Sequence, residues 1–293
     1  MANTITEDHR NRKTLEALLK ERILVVDGAM GTALEQLGPS VDDFGGETFH
    51  GCYEMLNLHA PNLVTAVHRN YIEAGADLIK TNSFNGSPIV MDEYGVADMS
   101  QELARRAAEL AVSSVERWSQ GRPVFIMGSM GPGTRSITVT GGVTFDRIFD
   151  AYRIYATGLL EGGADLLLLE TMQDTLNVKA ALLGIQVAQD DLGRDAPMAL
   201  SVTIEAGGTM LAGQNIEALY HTVAHFDLFS IGLNCATGPV MMTDHLRTLA
   251  GLSRFPVSVW PNAALPDHSG DYSEGPAIFH EIIGNFARKG WIN

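Results

Sequence analysis

The run "ADLLLLET" (residues 164–171) carries four successive leucines and then a carboxylate, Glu170. Alternation of apolar and polar residues marks a strand with one wet face, whereas unbroken apolarity marks a strand buried on both faces. The same pattern recurs in "ILVVDGAM" (23–30), "ADLIKTN" (76–82), "PVFIMGSMGP" (123–132), "PMALSVTI" (197–204), "LFSIGLNC" (228–235) and "PVSVWPNA" (256–263). These seven runs alternate with segments of helical period, which predicts repeated βα units.

Two connecting segments show the repeat directly. "APNLVTAVHRNYIEAGAD" (60–77) and "TFDRIFDAYRIYATGLLEGGAD" (144–165) each read as a helix, a glycine stop and an Ala-Asp step into a strand. "SQELARRAAELAVSSVERW" (100–118) is a further amphipathic helix. No Ser/Gly linker or low-complexity stretch divides the chain. Residues 1–22 are read as a polar segment with a helix, and 23–293 as one domain.

Seven βα units fit either a doubly wound sheet or a (β/α)8 barrel. A doubly wound sheet concentrates functional groups at one switch point, whereas a barrel collects them from many strand ends at its C-terminal face. Here every run ends on a polar group: Asp27, Thr81 with Asn82, Ser129, Glu170, Thr203, Asn234 with Cys235, and Asn262. The expected fold is therefore a (β/α)8 TIM barrel. The last strand starts lie about 30 residues apart, so an eighth strand is expected to begin near residue 290. "ARKGWIN" (287–293) leaves room only for its start, and the eighth strand is expected to be largely missing from this chain.

The 293 residues are 45% apolar and 19% charged, enough for one large core. A formal charge of −15 repels phosphate backbones and anionic headgroups, so neither nucleic acid nor a membrane is an expected partner. The polar opening has no secretory h-region and no apolar run approaches a bilayer span. Two distant cysteines make no disulfide framework. A cytoplasmic location is expected.

"DGAMGT" (27–32) follows a strand, and its glycines allow backbone N–H groups to approach a ligand, or simply make a tight turn. It lacks the Gly-Lys-Ser/Thr of a phosphate loop and the third glycine of a dinucleotide fingerprint. A small carboxylate on the loop N–H groups, with Asp27 facing an amino group, fits it better. "MGSMGPGT" (127–134) is a second glycine-rich strand end, whose Met127 and Met130 read as lining or packing residues. Glu170 is either a helix N-terminal charge or the partner of a substrate ammonium, and its place ahead of the helix favours the second. His221 and His225 are spaced four apart but lack the Glu of a zinc-protease motif, and no nucleophile elbow occurs. Cys52, in "FHGCYEMLNL" (49–58), reads as a packing residue. Cys235 ends the sixth run on the face shared by Asp27 and Glu170. As a nucleophile it lacks a histidine base at any strand end. As a zinc ligand it is one where three or four are needed.

Taken together, "VVDGAMGT", "GCYEMLNL", "EAGADLIKTNSFN", "GGADLLLLETMQDTLNVKAAL", "GLNCATGP" and "PNAALP" resemble the homocysteine-binding barrel of the cobalamin-dependent methionine synthases, within the homocysteine S-methyltransferase family. The resemblance runs from about residue 20 to the end, and "PNAALP" followed by "GDYSEG" (270–275) is closer to that branch than to the betaine- or S-methylmethionine-using branches.

The resemblance implies zinc held by three cysteines. One is Cys235, and the other two stand in a Gly-Gly-Cys-Cys-Gly motif that would follow residue 293. It implies homocysteine as substrate, activated as a zinc thiolate. The methyl group would come from methylcobalamin on another module, recharged by a folate-binding module of the same or a partner chain. Gly28, Ala29, Met30 and Gly31 would hold the amino-acid carboxylate, Asp27 and Glu170 its ammonium, with Asn234 beside them and Cys235 catalytic. Lys80 stands where several family members carry Glu. With one thiolate, the chain is expected to bind zinc weakly or not at all and to be inactive alone. The alternatives are a stand-alone homocysteine methyltransferase with a betaine or S-methylmethionine donor, and a metal-free amino-acid-binding barrel.

Overall fold

A computed structural model describes residues 12–263 and 275–293. Six parallel strands form one curled sheet: β1 (Leu78–Lys80), β2 (Phe125–Met130), β3 (Leu166–Met172), β4 (Met198–Val202), β5 (Leu228–Asn234) and β6 (Val257–Trp260). Their spatial order is their chain order, β1 to β6. A doubly wound sheet reverses its order at a switch point. An unreversed parallel order is the winding of a (β/α)8 barrel.

The principal helices are α1 (Arg12–Glu21), α2 (Met30–Gln36), α3 (Pro61–Ala74), α4 (Ser100–Trp118), α5 (Phe145–Glu161), α6 (Thr175–Leu192), α7 (Ile216–Val223), α8 (Pro239–Leu252) and α9 (Pro276–Arg288). The glycine stops lie where the sequence puts them. Gly75 closes α3 in the left-handed conformation (φ 103°), and Gly162 follows the last residue of α5. Gly158 within α5 has a second reason: an added Cβ would lie 2.2 Å from the Gln101 carbonyl oxygen, so α4 and α5 meet backbone to backbone.

Period-two alternation divides the core into two layers. Ile79, Ile126, Leu167, Leu169, Leu200, Ile231 and Val257 face the helices. Leu78, Phe125, Met127, Leu166, Leu168 and Ala199 face inward, and Leu15 of α1, fully buried, packs against them. The N-terminal helix thus belongs to the barrel's inner core.

The first run differs from expectation. Residues 23–30 form one bridge, Val26 to Leu78, instead of a full strand. The Asp27 N–H donates to the Leu78 carbonyl at 2.9 Å, and the Val25 carbonyl accepts from Asp77 and Leu78. Val25 is 57% exposed, because its other side has no neighbour among the described residues. At the far edge of the sheet, the Asn293 N–H donates to the Val257 carbonyl at 3.0 Å and its side-chain oxygen accepts from the Val257 N–H at 3.1 Å. Asn293 therefore takes the first place of a lane beyond β6. No eighth strand forms among the described residues. No helix among them is long and apolar enough to cross a membrane.

Candidate active site

The inner layer changes character at the C-terminal strand ends. Continuing inward from Leu78, Met127 and Leu168, the next alternating positions are Lys80, Ser129 and Glu170. They line a cavity of about 680 Å³, together with Asp27, Gly28, Ala29, Met30, Gly31, Asn234 and Cys235. Thr81, Asn82 and Asn262 line it as well. Thr203 does not, and its hydroxyl donates to the Asn234 carbonyl at 3.2 Å. The cavity brings together all eight residues to which the sequence assigns a site role. Residues 264–266 of "PNAALP" and 270–274 of the acidic stretch lie outside the described residues.

Asp27 is 5% exposed. One carboxylate oxygen accepts the Lys80 backbone N–H at 2.8 Å, while Oδ1 is buried with no partner among the described residues. Burial pushes its pKa up to about 7, against the pull of the Lys80 charge. The following loop runs close to Tyr71: a Cβ on Gly28 would lie 2.6 Å from the tyrosine hydroxyl, which donates to the Ala29 carbonyl at 3.4 Å. Ala29 sits at the N-cap of α2 and offers no side chain to its first-turn N–H groups.

Glu170, 7% exposed, accepts from the Ser129 hydroxyl at 2.5 Å, and its other oxygen lies 3.7 Å from the Lys80 ammonium. Burial opposes the charge on Lys80, but Glu170, Asp27 and Cys235 raise its pKa above the ordinary lysine value. The register of β3 on β4 slips between Leu169 and Met172, and Thr171 in that bulge is left-handed (φ 60°). The bulge sets the direction of the chain where Glu170 leaves the ladder.

Asn234 has every side-chain bonding group engaged within the protein. Its oxygen accepts from the Ser201 hydroxyl at 2.6 Å and the Thr171 N–H at 3.1 Å. Its amide donates to the Thr171 hydroxyl at 2.7 Å and lies 3.1 Å from the Cys235 sulfur. Cys235 and Ala236 are both left-handed (φ 58° and 57°), and the Cys235 N–H donates to the Trp260 carbonyl at 3.1 Å. A single thiol held in this way is a good soft ligand, but it does not make a zinc site. No cluster of three or more His, Cys, Asp or Glu able to hold a metal occurs among the described residues. The donor set present does not by itself fit the metal.

Cys52 is buried beside Met55, Val90, Met91 and Leu103, and burial pushes its thiol up to about 12. It is outside the cavity lining, whereas its neighbour Glu54 reaches the lining and accepts the Asn85 N–H at 2.7 Å. Lys80, Thr171 and Glu54 are site residues to which the sequence reading assigns no role. Period-two alternation from Leu78 was the available signal for Lys80; a threonine gives none for positive φ.

The sequence model of the family described as homocysteine S-methyltransferase matches residues 24–293. Methionine synthase of Mycobacterium tuberculosis is 41% identical over 280 residues, which cover 95% of this chain and 23% of that protein. Methionine synthase of Mycobacterium leprae is 42% identical over 267 residues, covering 91% of this chain and 22% of that protein. The chain thus spans about a quarter of the length of these relatives. Among solved structures, the oxidized form of the homocysteine methyltransferase MmuM from Escherichia coli superposes with a TM-score of 0.73 at 24% identity, covering 94% of this chain and 90% of that one. Its metallated form gives 0.70 at 24% identity, covering 86% and 88%.

Proposed function

The chain belongs to the homocysteine S-methyltransferase family, and from that premise we propose that it binds homocysteine in the barrel mouth as the acceptor in a methyl transfer that yields methionine. The observation that carries this reading is the convergence of Asp27, Glu170 and Cys235 on one cavity, with a buried oxygen of Asp27 lacking a donor among the described residues. An amino-acid ammonium supplies that donor and meets Glu170 as well. The loop at Gly28–Gly31 lies alongside to take the carboxylate, which directs the thiol toward Cys235.

Zinc-dependent activation of that thiol is part of the proposal for the longer protein. A zinc-bound thiolate keeps a nucleophilic lone pair at neutral pH, where a free thiol is mostly protonated. Among the described residues one cysteine, Cys235, is placed in the cavity to contribute to such a site, and it does not hold the metal alone. Methylcobalamin is the donor in this proposal, carried with folate recharging on other modules, for which methionine synthases about four times the length of this chain have room. Two free cysteines in a family of thiol chemistry support a reducing, cytoplasmic setting.

Calorimetric titration with L-homocysteine tests the binding mode. Replacing Glu170 by Gln removes a charge-assisted bond, with an expected loss of about 1.5–3 kcal/mol in affinity. Unchanged affinity would remove Glu170 from the ammonium site.

A further inference from the structure

Lys80 is a cation at the end of β1, inside the mouth, where the carboxylates of Asp27, Glu54 and Glu170 also line the cavity. Its ammonium makes no direct hydrogen bond among the described residues, and the nearest charge is the Glu170 oxygen at 3.7 Å. The Lys80 side chain is 16% exposed and lines the cavity, so its ammonium has donors free for a ligand beyond the one ion pair at that distance. In the same cavity lining, Asp27 Oδ1 is a buried acceptor with no donor among the described residues. The protein does not cancel these two deficits against each other: the Asp27 carboxylate takes the Lys80 backbone N–H and not its ammonium. The mouth therefore presents a carboxyl oxygen and an ammonium, each with bonding capacity left for a ligand.

That pair is complementary to an α-amino acid, whose ammonium and carboxylate leave the same carbon. We infer that Lys80 is a substrate-binding residue that takes the α-carboxylate, so that Lys80 opposite Asp27 and Glu170 forms a charge clamp selecting zwitterionic α-amino-acid thiols. The inference rests on the homocysteine reading of the same site. It adds a cationic partner to the backbone groups of the Gly28–Gly31 loop and a basis for rejecting amines that lack a carboxylate. The competing role for Lys80 is that of an internal counter-ion, which neutralises Glu170 and touches no ligand.

The two roles separate when the carboxylate is removed from the ligand and the ammonium from the protein. The full chain and its Lys80→Met variant are titrated calorimetrically, under reducing conditions, with L-homocysteine and with 3-aminopropane-1-thiol, its decarboxylated counterpart. The clamp predicts that the unmodified chain prefers homocysteine by tenfold or more. It also predicts that Lys80→Met weakens homocysteine by about tenfold to a hundredfold and leaves the aminothiol unchanged or tighter, since a competing cation is gone. Equal shifts for both ligands, or no preference in the unmodified chain, overturn the clamp and leave the homocysteine reading standing. Failure of the unmodified chain to bind either ligand overturns the homocysteine reading itself. Should Lys80→Met fail to fold, Lys80→Gln carries the same comparison. Lys80→Arg, which keeps the charge, should retain the preference for homocysteine.

Discussion

Asn234 and Thr171 bind each other reciprocally across the ends of β5 and β3: the Thr171 N–H donates to the Asn234 oxygen at 3.1 Å, and the Asn234 amide donates to the Thr171 hydroxyl at 2.7 Å. Each is next to, or is itself, a non-glycine residue with positive φ. A left-handed β-branched residue costs about 1–2 kcal/mol, so its surroundings must hold it in place. This pair does so, and it stands between Glu170 and Cys235 in the mouth. Asn234→Ala leaves Ser201 and Thr171 without their buried partner and is expected to cost about 2–4 kcal/mol in urea unfolding. A loss below about 0.5 kcal/mol would mean that other contacts hold both strand ends.

Asp27 should make the protein less stable as pH rises. Burial lifts its pKa from the ordinary 3.8 to about 7, so the folded state holds the proton more tightly than the unfolded chain. The favourable contribution is complete below pH 3.8 and is lost as pH rises through about 7. Asp27→Asn, neutral throughout, is expected to stabilise the ligand-free protein at pH 8 by a few kcal/mol, about 1.4 per pKa unit, while weakening homocysteine. Thermal melts from pH 5 to pH 8 check the sign. A variant destabilised at pH 8 would show that the ionised carboxylate is well solvated or well paired.

His68 works in the opposite direction. It is fully buried in α3, neither ring nitrogen has a partner among the described residues, and burial lowers its pKa from 6.5 to about 4. Its neutral form is what the fold accommodates, so stability is present above pH 6.5 and lost as pH falls through about 4. Between these values the slopes of Asp27 and His68 oppose, which flattens the profile of the unmodified protein. His68→Leu should remove the acid-side loss, about 3–4 kcal/mol from this residue, and unmask the Asp27 slope. A His68→Leu profile parallel to that of the unmodified protein would place a bonding partner, such as water, on the ring.

The elements of the barrel were legible because they are buried on both faces. The leucine run 164–171 contains nearly all of β3, and the helix read over 100–118 is α4 residue for residue. The run 23–30 was over-read as a strand: its composition matches the others, but pairing depends on a neighbour at each side, and sequence does not show neighbours. The site was legible as a set of polar strand ends and not as a set of contacts. Lys80 lies two residues from Leu78 and so points inward, yet its approach to Glu170 depends on the curl of the sheet. The left-handed turns at Thr171 and Cys235 left no trace, since neither residue type favours positive φ.

Asp174 staples the loop after β2 to the start of α6, and its removal should free that loop without unfolding the barrel. One oxygen caps the helix through the Leu176 N–H at 2.9 Å. The other accepts from the Ser136 hydroxyl at 2.6 Å and from the Thr138 hydroxyl and N–H at 2.7 and 3.0 Å. Asn177, one turn on, takes the Ile137 N–H and donates to the Arg135 carbonyl. Although burial opposes it, these bonds hold the Asp174 pKa below the ordinary value, so its contribution is present above pH 3.8 and lost as pH falls below that. Asp174→Ala leaves the loop with two side-chain anchors on Asn177 and removes the cap, at an expected cost of about 2 kcal/mol. Arg135, exposed in the loop, reports on the result. Trypsin should cut after Arg135 at least tenfold faster in the variant, at a temperature where circular dichroism shows the fold intact. Asp174→Asn keeps a capping oxygen but loses the charge, and should fall between the two. Equal cleavage rates in all three would show that the loop is held by contacts other than this carboxylate.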